Sequence, residues 1–227
     1  MKIGILQTGH LPPELLPTYG DYPELYERLL DGYGFDFAAW AVVDMEFPDS
    51  VHDADGWLIT GSRHGAYEDL PWIAPLEEFI RAAFETGVPM VGVCFGHQII
   101  AQALGGRVEK FDGGWAVGHH SYRFADDGTL ALNAWHQDQV VTRPPGATLL
   151  ATSDFCENAA LAWDDRALTV QAHPEFTDAF LDGLIAHRGR GLVPDDRLDA
   201  ARAALGQPTD AAAIADRFAE FFKRPRS

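Results

Sequence analysis

At 227 residues, 47% hydrophobic and 22% charged, the chain has the size and balance of one globular core with room for a helical appendage. Its formal net charge of −17 disfavours a nucleic-acid partner, because phosphate binding needs basic surface. No stretch approaches the roughly 20 apolar residues of a membrane span, the opening Met1–Leu6 is too short for a signal peptide, and two cysteines, Cys94 and Cys156, make no disulfide framework, so the chain reads as cytoplasmic and reduced.

In chain order, Lys2–Leu6 reads as a buried first strand running into the loop Gln7–His10. Asp21 caps a helix with Pro23 in its first turn, extending to about Leu30. Phe35–Val43 reads as a second strand and the run ending at Thr60 as a third, closed by Gly61-Ser62. Residues 74–86 have helical periodicity, with Leu76, Phe79, Ile80 and Phe84 inward. Val88–Val91 is a fourth strand, and Ile99–Leu104 a helix that stops at Gly105-Gly106. This alternation predicts parallel pairing in a doubly wound α/β sheet, whose ligands bind beyond the carboxyl ends of the strands.

After Gly106 the pattern turns to short strands. Arg107–Phe124 and Thr129–Asn133 suggest an antiparallel hairpin or meander about the turn Asp126-Asp127-Gly128. Gln139–Thr142, Thr148–Ser153 and Ala160–Trp163 continue it, and Leu168–Ala172 returns to buried character. The tail reads as helices over 176–187, 195–205 and 210–223. The expected organisation is a catalytic unit over 1–190 with helices of 191–227 packed on it.

The organising stretch is Gly92-Val93-Cys94-Phe95-Gly96-His97-Gln98. A cysteine at a sharp turn from strand to helix, with glycine two residues to either side, has the form of a nucleophile elbow. Side chains at the glycines would collide with the neighbouring strand and helix, and the helix N-terminus favours a thiolate. A lone cysteine is also commonly an inert core residue. The second motif, Gln171-Ala172-His173-Pro174-Glu175, decides between these. A cysteine nucleophile needs a base and the base an orienting group. His173 and Glu175, two apart on an extended segment, point the same way.

In this order and about eighty residues apart, the two motifs resemble the class I glutamine amidotransferase family, in particular a stand-alone subgroup similar to the GMP synthetase amidotransferase domain. The resemblance implies a flavodoxin-like, three-layer α/β/α fold with a mostly parallel central sheet. It implies Cys94 as nucleophile, His173 as base and acid, and Glu175 as its orienter. The Phe95 amide would serve the oxyanion hole with a second amide from Thr60-Gly61-Ser62-Arg63, either Gly61 or Ser62, because the family's usual Ser-Gly-Gly-Pro is altered here. Gln98 matches the residue that contacts bound glutamine, and Trp135-His136-Gln137-Asp138 the family's Ser-His-x-Asp stretch. Trp135 can also be read as a structural aromatic, and His136 as a second base or metal ligand, roles the family does not need. Gly114-Trp115-Ala116-Val117-Gly118 resembles the subgroup's Gly-Trp-Glu-Val-Gly.

The implied reaction is cleavage of the γ-amide of glutamine or of a γ-glutamyl compound through a thioester on Cys94, with no metal and no cofactor. About forty residues after the core are too few for a synthase domain. The alternatives are a component handing ammonia to a separate synthase subunit, an autonomous γ-glutamyl peptidase, and a catalytically silent binding module. No nucleic-acid or membrane partner is expected.

Overall fold

Strands β1 (Lys2–Leu6), β2 (Asp36–Trp40), β3 (Gly56–Ile59), β4 (Met90–Val93) and β11 (Ala167–Val170) are short apolar runs, as strands covered on both faces must be. The computed structural model describes residues 1–126 and 128–226 and places these five side by side, all parallel, in the order β2-β1-β3-β4-β11. The sheet continues antiparallel through β10 (Ala160–Trp163), β9 (Thr148–Thr152), β6 (Ala116–Phe124) and β7 (Gly128–His136). A separate ribbon pairs β5 (Arg107–Lys110) with β8 (Asp138–Thr142).

The period-2 alternation of each strand divides the core. Ile3, Ile5, Leu58, Val91 and Val93 face helices α2 (Tyr22–Leu29), α5 (Asp178–Leu184) and α7 (Ala211–Lys223), meeting Leu25, Phe180, Phe218 and Phe222. Leu6, Trp57, Ile59 and Met90 face α3 (Ile73–Thr86) and α4 (Phe95–Ala103), meeting Leu76, Ile80, Ile99 and Ile100. This is the three-layer, flavodoxin-like α/β/α arrangement. The remaining helices are the short α1 (Leu16–Tyr19) and α6 (Asp195–Ala203). Among the described residues no helix is long and apolar enough to cross a membrane.

Several details differ from the sequence reading, among them the helix read as Ile99–Leu104, which begins at Phe95, and the strand read as Val88–Val91, which is Met90–Val93. The second strand ends at Trp40, because the chain enters a 3-10 turn at Val42–Asp44 and Met45 adopts φ 66°. Phe79 and Phe84 are only partly buried on the flank of α3, whose buried stripe is Ile73, Leu76, Ile80 and Ala83. The expected continuous Arg107–Phe124 segment splits: β5 leaves the sheet for its ribbon, and β6 pairs with β7 from Ala116–His136 to Phe124–Gly128. Asp127 of the predicted turn lies outside the described residues. The helix expected over 176–187 starts at Asp178, capped by Thr177, and widens after Leu184 into a π turn over Ile185–Gly189. The helix after Asp21 has a full capping box, Glu24 answering Asp21. Gly118, at φ 85°, lets α6 approach β6; a Cβ there would lie 2.7 Å from the Ala201 Cβ.

Candidate active site

Three adjacent parallel strands deliver the candidate residues to one edge of the sheet. Thr60-Gly61-Ser62 follows β3, Cys94 follows β4, and His173 follows β11 by three residues. Cys94 sits at φ 53°, ψ −100°, a strained region for a side chain, at the N-cap of α4. The surroundings fix it there. Its N–H donates to the Val170 carbonyl at 2.9 Å, its carbonyl accepts from Gln98 N at 3.1 Å, and Gly96 N donates to the Thr60 carbonyl at 3.1 Å. The flanking glycines have the steric cause expected of them: a Cβ on Gly92 would lie 2.5 Å from the Gly96 carbonyl oxygen, and one on Gly96 2.2 Å from that of Ile59.

His173 and Glu175 are both buried, and Nδ1–H of the imidazole donates to Glu175 Oε1 at 2.7 Å. That leaves Nε2 for the hydrogen bond His173 makes with Cys94. Burial alone would lower the His173 pKa, but the negative charges of Cys94 and Glu175 and the hydrogen bonds to both outweigh it and raise it to about 10. Phe176 stacks on the ring at 3.9 Å between centroids, and Asn133 O accepts from His173 N at 2.8 Å.

Two further side chains were not singled out from sequence. Tyr26 donates its hydroxyl to Glu175 Oε1 at 2.8 Å. Gln171 donates Nε2–H to Cys94 Sγ at 3.5 Å and accepts from Gln98 Nε2 at 3.1 Å. The period-2 argument that joined His173 to Glu175 extends backward to Gln171 and was the available signal. Tyr26 lies one helical turn from Tyr22 on the buried face of α2, which marks it as core and no more.

Cys94 opens into a cavity of about 190 Å³ lined by Ser62, Gln98, Trp115, Trp135 and His136 among others. Gln98 also donates to the Asp138 carbonyl at 2.8 Å. His136 Nδ1 lies 3.2 Å from the same carbonyl, which can only accept, so Nδ1 carries the proton and Nε2 is a lone-pair acceptor. Among the described residues, His136 Nε2 and Trp135 Nε1 are buried without a protein partner. Gly61 packs against His173, where a Cβ would lie 3.0 Å from Cε1, while Ser62 Oγ donates to the Thr8 carbonyl at 2.6 Å. Among the described residues, the N–H groups of Gly61, Ser62 and Phe95 donate to no backbone carbonyl. Both cysteines are free, and Cys156 is buried in the core.

Burial pushes His136 down to about 3, the nearby His173 adding to it, and pushes His97, whose Nδ1 lies 2.8 Å from Thr169 Oγ1, down to about 3 as well. Unfolding returns each to about 6.5. Between pH 7 and 5 the unfolded chain therefore takes up protons that the native chain refuses, and stability falls with pH by about 2 kcal/mol per histidine. His173 acts in the opposite sense: its contribution is full below about pH 6.5 and is lost as pH rises toward its folded value of about 10. Urea midpoints should show His97→Gln losing about 2 kcal/mol less than the parent chain between pH 7 and 5.

A cysteine held at a strand-to-helix elbow and facing a His–Glu pair on the carboxyl edge of a doubly wound sheet places the chain among triad-type α/β hydrolases. Comparison with known proteins narrows that class. The chain belongs to the class-I glutamine amidotransferase family, whose model, described as "Glutamine amidotransferase class-I", matches residues 38–183. It is similar to "Gamma-glutamyl peptidase 3" of Arabidopsis thaliana, 32% identical over 180 residues covering 72% of each chain. It is also similar to the glutamine-hydrolyzing GMP synthase subunit of Halobacterium salinarum, 38% identical over 173 residues, covering 71% of this chain and 87% of that one. In fold it matches a glutamine amidotransferase from Thermotoga maritima with a TM-score of 0.75 at 19% identity, covering 99% of both.

Proposed function

We propose that the chain hydrolyses γ-glutamyl amides on its own, through a thioester on Cys94. The observation that carries this reading is the hydrogen-bonded Cys94–His173–Glu175 array beside a cavity lined by Trp135 and His136, whose Nε1 and Nε2 have no protein partner among the described residues. The Cys94 thiolate adds to the γ-carbonyl carbon. The resulting oxyanion is held by N–H of Phe95 and of Gly61 or Ser62; such donors are worth roughly 3–4 kcal/mol each. Imidazolium His173 gives its Nε2 proton to the leaving nitrogen, the C–N bond breaks, and the γ-glutamyl thioester remains. Neutral His173 then takes a proton from water as its oxygen attacks; the C–S bond breaks, glutamate leaves and the thiolate returns. Glu175 keeps the tautomer, with Tyr26 holding the carboxylate.

At the other end of the cavity, neutral His136 and the side-chain oxygen of Gln98 accept from the substrate α-ammonium, and Trp135 Nε1–H serves its α-carboxylate. The chemistry is carried by about residues 1–190, with 191–227 as covering helices. The site works in the cytoplasm on a small molecule, without nucleic acid, membrane, metal or cofactor. A second reading, in which the chain feeds ammonia to a separate synthase, is favoured by the similarity to the GMP synthase subunit of Halobacterium salinarum. Glutamate release by the purified chain separates them. Rapid release from γ-glutamyl dipeptides or amines is expected. Slow release from glutamine alone, with Cys94 still labelled by an electrophilic glutamine analogue, would favour the synthase partner. No turnover and no labelling would mean a binding module.

A further inference from the structure

The chain carries 34 carboxylates against 17 lysines and arginines. Arg81, Arg107, Arg123, Arg202 and Arg217 each pair with a carboxylate. Of the arginines with no such pair among the described residues, Arg188 and Arg63 are the two that line the cavity at Cys94. Among the described residues neither has a carboxylate within ion-pair distance, and the one side-chain bond of Arg63 is Nε donating to His64 Nε2 at 3.4 Å. Yet Arg188 is partly buried, and it lies in the same cavity as Cys94. It stands on the π turn Ile185–Gly189, a widened turn of the kind that recurs at functional sites. The acids at the same rim are engaged elsewhere: Glu68 accepts from Gly65 N at 2.7 Å and lies 3.5 Å from His64, and Asp138 takes the Tyr67 hydroxyl.

Arg188 also stands at a junction. A second cavity of about 420 Å³, walled by residues such as Gly9, Pro12 and His187, shares only Arg63, His64 and Arg188 with the cavity at Cys94. Gln98, Trp135 and His136 belong to the first cavity alone. Burial weakens the hold of Arg188 on its proton, and Arg63 adds to this against the opposing influence of Tyr22 and Cys94. An anion between the two guanidinium groups would relieve that repulsion and supply the missing partner, and a planar fork suits a carboxylate.

We propose that Arg188, with Arg63 beside it, binds a carboxylate on the leaving portion of the substrate, so that the enzyme favours γ-glutamyl peptides over glutamine. The assignment rests on the proposed γ-glutamyl hydrolysis at Cys94. With the scissile carbonyl at Cys94 and the glutamyl head at Trp135 and His136, the leaving nitrogen points toward the junction. When that nitrogen belongs to an amino acid, its carboxylate follows one carbon later. Ammonia, the leaving group of glutamine, has nothing for the arginines to hold.

The test compares kcat/KM for γ-glutamylglycine with that for neutral γ-glutamylmethylamide. The parent chain should prefer the glycine compound, and added salt should shrink the preference. Arg188→Gln should lower the ratio about tenfold to a hundredfold, through KM, Arg63→Ala should lower it less, and Arg188→Lys should restore part of it. A ratio unchanged by Arg188→Gln, or a parent chain with no preference, overturns the assignment. If the parent chain cleaves neither compound, hydrolysis at Cys94 fails as a reading. Calorimetric binding of the two compounds to Cys94→Ala, with and without Arg188→Gln, then decides the carboxylate contact. An Arg188-dependent preference supports it, and equal binding overturns it.

Discussion

Cys94→Ala is expected to abolish glutamate release, lowering kcat by about 10⁶-fold, the scale seen when the nucleophile of a hydrolytic triad is removed. The cavity and the amides of Phe95 and Gly61 or Ser62 survive the exchange, so substrate should still bind. Only the covalent route is lost. Glu175→Gln should cost less, about 10⁴-fold, because the amide still fills the space but no longer enforces the tautomer with Nδ1–H toward Oε1. Cys94→Ala also removes a negative charge that raises the His173 pKa, so the imidazole should titrate lower than its value of about 10 in the parent chain. Steady-state release, binding to the inactive chain and NMR titration of His173 are the three readouts. Full activity in Cys94→Ala would remove the cysteine from the mechanism.

Gly96→Ala should do its damage by another route. The added methyl would lie 2.2 Å from the Ile59 carbonyl oxygen and 2.9 Å from its carbon. These are backbone atoms of a central strand, so no rotamer change relieves the clash. Helix α4 must move away from β3, at a cost of about 3 kcal/mol. Any chain that still folds carries Phe95 N–H and Cys94 Sγ off by a sizeable fraction of an ångström, and a misplacement of about 1 Å costs roughly 10²-fold in rate. Urea denaturation and kcat should both fall. Gly87→Ala is the control: open space surrounds it, and its φ of 76° alone costs about 1 kcal/mol.

The sequence exposed the parts of the fold that are local. The apolar runs of β1, β3 and β4 are short and continuous, the cap at Asp21 precedes Pro23, and the elbow and the His-x-Glu pair each lie within a few residues. Contacts that packing creates were hidden. Tyr26 meets Glu175 across 149 positions, and Gln171 meets Cys94 across 77. Periodicity tells which face a residue occupies and not what lies opposite. The departure of β5 to pair with β8 was hidden for the same reason, since alternation marks a strand without naming its neighbour. Arg188 gave no signal at all. An arginine near a helix end is ordinary, and its want of an acid partner exists only in three dimensions.

Val93 and Val170 are direct partners in the sheet, and the amide of Cys94 donates to the carbonyl of Val170. The proposed nucleophile and base therefore hang from neighbouring strands, spaced by a ladder repeat of about 4.8 Å. Heating should then leave the reaction competent until the whole sheet gives way, with inactivation and cooperative melting tracing one curve. The mouth is different, for the segments carrying Arg63 and Arg188 lie outside that ladder. Evolution can rewrite what enters this enzyme while the spacing that breaks the bond stays a lattice constant of the sheet.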